Sequence, residues 1–323
     1  MTKRQALIHS AVLIFLVVFP LGSDHLFSVF YVSLVTRVFI YGIMVLGFDL
    51  LGGYAGMISY GHAMFFGTGG YVAAMLLKNV TGWLWFPLLA AAVACGLLAY
   101  VVGWLSVRIR HIYFVFLTFA FAQFFFVTAN TWEFIGGETG LAGVPKPILL
   151  PGVDLAGKMG FYYFSLLFLA LGYLLARIIV GSPFGRILVG IRENEERTQF
   201  LGYDTNRVIR KIFVISGVYG GIAGVLMATH NSFCSPMLYH PSVSGEVIIM
   251  SLLGGLGTLV GPLIGAAVMI FLSDTISSLF ANAWLGIMGA IFALCVLYTP
   301  QGLVGILQKL KTRKAAKVSH DAA

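Results

Sequence analysis

Charge is what this sequence has least of: charged residues make up 10% of its 323 positions against 59% hydrophobic, and mean hydropathy is +0.94. Soluble domains run at about 25% charged, so water is not the main solvent of this chain. Cysteine is scarce as well. Cys95, Cys234 and Cys295 are odd in number and scattered, which gives neither a disulfide framework nor metal-ligand spacing. The phosphate loop G-x-x-x-x-G-K-[ST] is missing, since the Gly157-Lys158 pair runs into Met159. Any nucleotide hydrolysis must therefore reside on another chain. The short alternating segments of a membrane β-barrel are also lacking.

What is present are apolar runs near the length of about 20 residues that crosses a bilayer, at 86–106, 111–129, 160–180 and 284–298. Spanning segments must satisfy their own backbone hydrogen bonds, so the fold class is all-α, a polytopic integral membrane protein. The net charge of +8 could suggest nucleic acid, but nearly all basic residues flank apolar runs, as membrane orientation requires; no nucleic-acid partner is expected. The 39 glycines suit close helix packing in lipid.

Charge counting gives a topology. Lys3 and Arg4 place the N-terminus in the cytoplasm, and the apolar stretch to Phe19 reads as the first span rather than a signal peptide, because "PLGSDH" lacks a clear small-x-small cleavage site. Spans at 6–22, 28–50, 61–77, 86–106, 111–130, 160–180 and 212–230 follow, with a long external loop at 131–159. The basic tail "KLKTRKAAK" should also be inside, so 245–273 must hold two short passes turning at "GGLGTLVGP". With 284–303 this makes about ten passes, within a range of about eight to ten, both termini cytoplasmic. Sixteen Lys/Arg then lie inside and three outside: Lys78, Lys146 and Lys158.

Two stretches resemble each other: "LLGGYAGMISYGH" (50–62) and "LLGGLGTLVGP" (252–262). They read either as glycine-rich membrane turns alike by chance or as a duplicated broken-helix element lining a route, because irregular backbone at membrane depth survives only beside protein or a water-filled cavity. Gly56, Ser59, His62, Gly257 and Thr258 are the candidates there. Among membrane charges, Asp49, Glu246 and Asp274 read as helix-end residues near water. Arg37 lies nearer mid-span, where a charge costs about 2.5–3.5 kcal/mol on insertion scales. It is expected to contact a carboxylate or to line the route.

Enzymatic readings fail. Ser59-x-Gly61 lacks the glycine two residues before the serine, Met57 standing there, so it is no nucleophile elbow. Ser59 reads as a cap or lining hydroxyl, and His62 as a hydrogen-bonded structural residue more than a proton relay. His230 and His240 have no ligand-spaced partners, so no metal site is expected.

The remaining charge is gathered in one place. "SPFGRILVGIRENEERTQFLGYDTNRVIRK" (182–211) holds six Lys/Arg and four Asp/Glu. Ser182 can cap a helix opening on Pro183; Ile187, Leu188, Ile191, Thr198, Phe200 and Leu201 give a partly apolar face, Glu193 and Arg197 form an i,i+4 pair, and Gly202 is a natural stop. A solvated orienting loop would need only the basic residues. A short amphipathic helix docking a soluble partner fits better, with association to membrane lipid the next choice.

Five blocks carry a resemblance: "LGFDLLGGYAGMISYGHAMFFGTGGY" (46–71), "GGETGLAGVP" (136–145), the charged segment with "FVISGVYGGIAGVLMA" (213–228), "GGLGTLVGPLIGA" (254–266) and "PQGLVG" (300–305). On these the chain resembles the permease of branched-chain amino acid ABC importers, in its LivM-type subunit. Asp49 and Met57 stand where that family more often has an amide residue, and Gln301 where Arg is usual. The resemblance implies a transmembrane permease domain over 1–306, with a coupling segment at 181–211, and a basic cytoplasmic tail at 307–323. It implies a transport subunit without cofactor or enzymatic activity, in the bacterial inner membrane. Its implied partners are a second permease subunit, two cytoplasmic ABC ATPases and a periplasmic substrate-binding protein. The ATPases would grip the segment bearing Arg186, Arg192, Glu193, Glu195, Glu196 and Gly202. The substrate implied is a branched-chain amino acid, with urea or short amides as alternatives among relatives. An ion-coupled secondary transporter would favour paired buried ionisable groups.

Overall fold

The computed structural model describes residues 16–22, 29–80, 82–150, 153–154, 157–280, 283–298, 302–303 and 305. Most of the expected first span and the whole basic tail lie outside the described residues. Lipid offers no hydrogen bonds to peptide groups, so the apolar runs fold as helices. In chain order these are α1 (Val29–Phe48, prolonged by a π-type turn Asp49–Tyr54), α2 (His62–Asn79), α3 (Trp85–Ser106) and α4 (Ile112–Thr131). Then come α5 (Lys158–Gly181), α6 (Pro183–Glu193), α7 (Glu195–Phe200), α8 (Thr205–Asn231), α9 (Pro241–Gly254), α10 (Val260–Leu279) and α11 (Trp284–Tyr298). Among the described residues, six helices are long and apolar enough to cross a membrane: α1 with its π turn, α3, α4, α5, α8 and α10. The chain is an all-α, multi-pass membrane protein.

Helices α1 and α8 form the interior. Helix α8 packs against α2, α3 and α1, while α1 also packs against α5, α10 and α9. The outer helices present aliphatic rows outward; on α3, Leu89, Val93, Leu97 and Val101 are all exposed at i,i+4 spacing, as lipid-facing helices require. The closest approach joins α2 and α8: a side chain on Gly224 would collide with the Phe66 carbonyl, and one on Gly69 with the Gly221 carbonyl. With lipid outside, such van der Waals contact replaces the hydrophobic effect as the force between helices. A hydroxyl adds a further tie, Tyr219 donating to the Gly172 carbonyl at 2.7 Å and linking α8 to α5.

The loop after α4 is strapped down rather than free. Its β1 (Leu141–Ala142) pairs antiparallel with β4 (Phe233–Cys234), Leu141 opposite Cys234, and β2 (Ile148–Leu150) pairs with β3 (Val153–Asp154). "GGETGLAGVP" therefore sits against the α8–α9 connection.

The structure departs from the sequence expectations at three points, two of them in the helices. The helix expected over 212–230 begins at Thr205, capped by Asp204, whose carboxylate accepts from Arg207 N–H at 2.9 Å. The charged segment is two helices, because Asn194 leaves helical geometry (φ −160°) and caps α7, accepting from Arg197 N–H at 2.8 Å. That break removes the i,i+4 relation of Glu193 and Arg197 and splits the apolar face: Leu188, Ile191 and Thr198 are buried, whereas Phe200 and Leu201 are 91% and 72% exposed. The cap on α6 is as expected, Ser182 Oγ accepting from Gly185 N–H at 3.3 Å. The break at "GGLGTLVGP" falls between α9 and α10.

Candidate functional site

The third departure is Asp49, expected near water at a helix end. It is completely buried, and its carboxylate crosses from the end of α1 to the second glycine turn. Oδ1 accepts from Gly257 N–H at 2.6 Å and Oδ2 from Leu259 N–H at 3.1 Å. Leu259 has φ +57°, a left-handed conformation costing a side-chain-bearing residue about 1–2 kcal/mol. Two hydrogen bonds to a charged acceptor, each contributing about 1.5–3 kcal/mol net, outweigh that strain and hold the turn. Thr258 completes it locally, donating to the Gly255 carbonyl at 2.8 Å and accepting from Gly261 N–H at 3.0 Å.

The two glycine turns touch. A side-chain carbon on Gly53 would sit 2.5 Å from Gly257 N, and one on Gly257, at φ +76°, would sit 2.9 Å from Arg192 Nη1. Arg192 closes the assembly: from the end of α6 its Nη1 donates to the Gly53 carbonyl at 2.6 Å. Its stem lies over Gly56, where a side-chain carbon would meet Cγ at 2.9 Å and where φ is +73°. Small residues are required here because an arginine passes through the space. Gly302 of the fifth block packs on Gly255. Four of the five blocks thus meet at one clamp: Asp49, Gly53, Gly56, Arg192, Gly257 and Leu259, with Gly302 against Gly255.

The other expected residues fall into three places. Ser59 and His62 are completely buried; Ser59 Oγ accepts from Gly61 N–H at 3.2 Å, and His62 Nε2 lies 2.7 Å from Ser216 Oγ. Hydroxyls from other helices hold the rest of this turn, Thr118 accepting from Tyr60 N–H and Ser244 from Ala63 N–H. Ser216, Ser244 and Thr118 carry no signal in sequence, each being one small hydroxyl in an apolar helix. Arg37 stands apart. It is exposed on α1, which beyond its first turn is otherwise covered, with Tyr41 one turn along, and lies within electrostatic reach of half-buried Glu246 on α9.

The third place is the charged pair α6–α7. Glu195 is clasped by Arg110, Nε to Oε2 at 2.8 Å and Nη2 to Oε1 at 2.6 Å, and accepts from Thr205 Oγ1 at 2.8 Å. The Arg110 hydrogen bonds, ahead of the other contacts, hold its carboxyl below the usual glutamate range. This fork anchors α7 to the α3–α4 connection. Arg186, Glu193 and Glu196 are exposed, as is Gly202, at φ +89° with open space around it. Beside them project Phe200, Leu201 and Tyr203.

A bundle of spanning helices whose charged outer handle reaches two interior breaks is a membrane transport subunit in form. The family described as branched-chain amino acid transport system, permease component, matches residues 30–297. The high-affinity branched-chain amino acid transport system permease protein LivM of Salmonella typhimurium is 26% identical, covering 97% of this chain and 79% of its own length. LivM of Escherichia coli K12 is also 26% identical, over 100% of this chain and 79% of its own. The permease protein LivH of the same organism is 25% identical over 82% and 91%. No solved structure matches. The chain belongs to this permease family: it is a multi-pass permease component of a transport system and not an enzyme.

Proposed function

We propose that this chain is one of two unlike permease subunits of an ATP-driven importer carrying branched-chain amino acids across the bacterial inner membrane. The likeness to both LivM and LivH supports a paired assembly. In this reading the chain makes about ten passes with both termini inside. The α3–α4 connection and α6–α7 face the cytoplasm, and the strapped 131–159 loop faces a periplasmic binding protein. The membrane domain runs over 1–306, and 307–323 is its cytoplasmic tail. Two soluble ATPases dock the subunits, here through the ridge of Arg186, Glu193, Glu196, Phe200, Leu201 and Gly202.

The observation that carries the reading is the Arg192 bond to Gly53. A rigid helix pair moved by the ATPases transmits displacement through Arg192 to the first glycine turn. Asp49 passes it to the second, so both breaks shift together. Gly56, Gly257 and Thr258 act at this joint, while Ser59 and His62 stiffen the turn behind it. Substrate passes along the face of α1 and α9 that bears Arg37 and Glu246, against the second subunit.

Arg192→Ala tests the joint. The assembled complex should form and hydrolyse ATP, while uptake of leucine, isoleucine or valine falls at least about tenfold, because the bond that positions the first glycine turn against the handle is gone. Normal uptake would refute the joint. Glu193→Arg with Glu196→Arg should prevent the ATPases from copurifying while the chain still inserts; retained copurification would remove the docking assignment. Binding of urea or short amides by the cognate binding protein, with no branched-chain amino acid bound, would overturn the substrate.

A further inference from the structure

Away from the clamp, the start of α8 carries Arg207, Arg210 and Lys211 within five residues. They stand over an open groove of about 740 Å³ between α3, α6 and α8. The groove is two-natured. Its cationic end is formed by these three side chains, and its walls by Phe184, Val214, Ile215 and the ring of Tyr100. Arg210 is held at this edge, its guanidinium carbon 5.7 Å from the Tyr100 ring centre, its stem packed near Gly103. Among the described residues the cluster has one salt bridge, Arg207 to Asp204 at 3.4 Å. Glu195, which accepts from Thr205 at the same helix start, is neutralised by Arg110, which leaves a net positive charge.

Membrane orientation requires positive charge at this end of α8, but not its collection around an apolar groove. Arg207 also stands in the first turn of α8, against the helix dipole, whose positive end favours acids. Three cations gathered within five residues beside one carboxylate repel one another, and an anionic ligand would relieve that repulsion. The groove also opens toward lipid: Leu97, Val101 and Trp104 flank Tyr100 along exposed α3, and Leu174, Leu175 and Ile178 are exposed on α5 just before α6. A headgroup at the cations would leave its acyl chains along these rows.

We propose that this groove is a binding site for one anionic phospholipid, its phosphate held by Arg207, Arg210 and Lys211. Basic pockets between spanning helices bind anionic headgroups in this manner. The bound lipid bridges α6 and α8, the two helices flanking α7, and so fixes the handle's angle to the membrane surface. The site follows from membrane embedding alone and stands whether or not the coupling reading holds.

The test is native mass spectrometry of the full-length chain, purified with its associated subunits and exchanged into mixed phosphatidylglycerol and phosphatidylcholine. One phosphatidylglycerol should be retained in preference to phosphatidylcholine. Arg210→Gln with Lys211→Gln should lower that preference about thirtyfold, each cation at an anionic surface contributing about fivefold. Arg210→Lys with Lys211→Arg should keep it, and thermal unfolding of both variants reports folding. Equal retention of the two lipids, or a preference untouched by the neutralised pair, would overturn the site. So would displacement of the lipid by millimolar inorganic phosphate alone, or quantitative cross-linking of Tyr100→Cys to the second subunit.

Discussion

At the scale of single residues, the feature with most consequence is a carboxylate inside a membrane protein that forms no salt bridge among the described residues. Asp49 is held by two backbone N–H groups, and Arg192 lies within its electrostatic reach. Burying an ion costs several kcal/mol, so the bonds must be worth keeping: they fix Leu259 in a conformation it would otherwise leave. Asp49→Ala strands both N–H groups and should destabilise the protein by about 2–4 kcal/mol, visible as a lower unfolding midpoint in detergent, with uptake abolished. Asp49→Asn keeps one acceptor oxygen but turns an N–H donor toward another N–H, so it should lose about half as much. An Asp49→Ala protein as stable as the parent would show that the turn holds itself. Half of this arrangement is legible along the chain. The glycine pairs at 52–53 and 254–255 mark the breaks, but hydropathy places Asp49 at a helix end near water, because nothing in the linear order reveals that residue 257 folds back over residue 49. The reach of Arg192 is hidden for the same reason.

At the scale of elements, the α6–α7 pair is a rigid body because it is fastened twice, by Arg192 to the first glycine turn and by the Arg110–Glu195 fork to the α3–α4 connection. Ser182 and Pro183 make the start of α6 readable, a cap and a first-turn proline being local signals. The break at Asn194 is not readable: an asparagine within a run of Glu and Arg looks like a solvated helix face, and its cap on α7 is seen only in three dimensions. The fork has a pH signature. Glu195 titrates lower folded than unfolded, so its contribution is complete above the ordinary glutamate value of about 4.3 and disappears as pH falls through the lowered value. At neutral pH, Glu195→Gln should therefore destabilise the segment by about 1 kcal/mol and speed proteolytic nicking between residues 194 and 204. The difference from the parent should begin to shrink below the ordinary glutamate value of about 4.3 and vanish once pH has fallen below the lowered folded value. A difference that persists unchanged in acid would mean that Thr205 and Gln199, rather than the charge, hold α7 in place.

At the scale of the whole molecule, the interior helix α1 is covered by neighbours beyond its first turn except where it shows Arg37. A lipid-facing arginine at that depth would cost about 2.5–3.5 kcal/mol even on insertion scales, and outer helix α3 presents an aliphatic row there instead. The exposed strip therefore faces water or another subunit. Arg37 and Glu246 lie within each other's field without forming a salt bridge among the described residues. Two opposite charges held apart on one face suit a zwitterion, the guanidinium toward a carboxylate and the Glu246 side toward an ammonium, each engaged only in passing because translocation requires release. Arg37→Leu should leave insertion and assembly intact, since it removes a desolvation cost, and should cut uptake of branched-chain amino acids at least about tenfold, one charge-assisted contact contributing about 1.5–3 kcal/mol. Arg37→Lys should retain part of the activity, the charge remaining while the guanidinium fork is lost. Wild-type uptake by Arg37→Leu, at wild-type expression, would place the route elsewhere and leave the arginine as a contact between subunits.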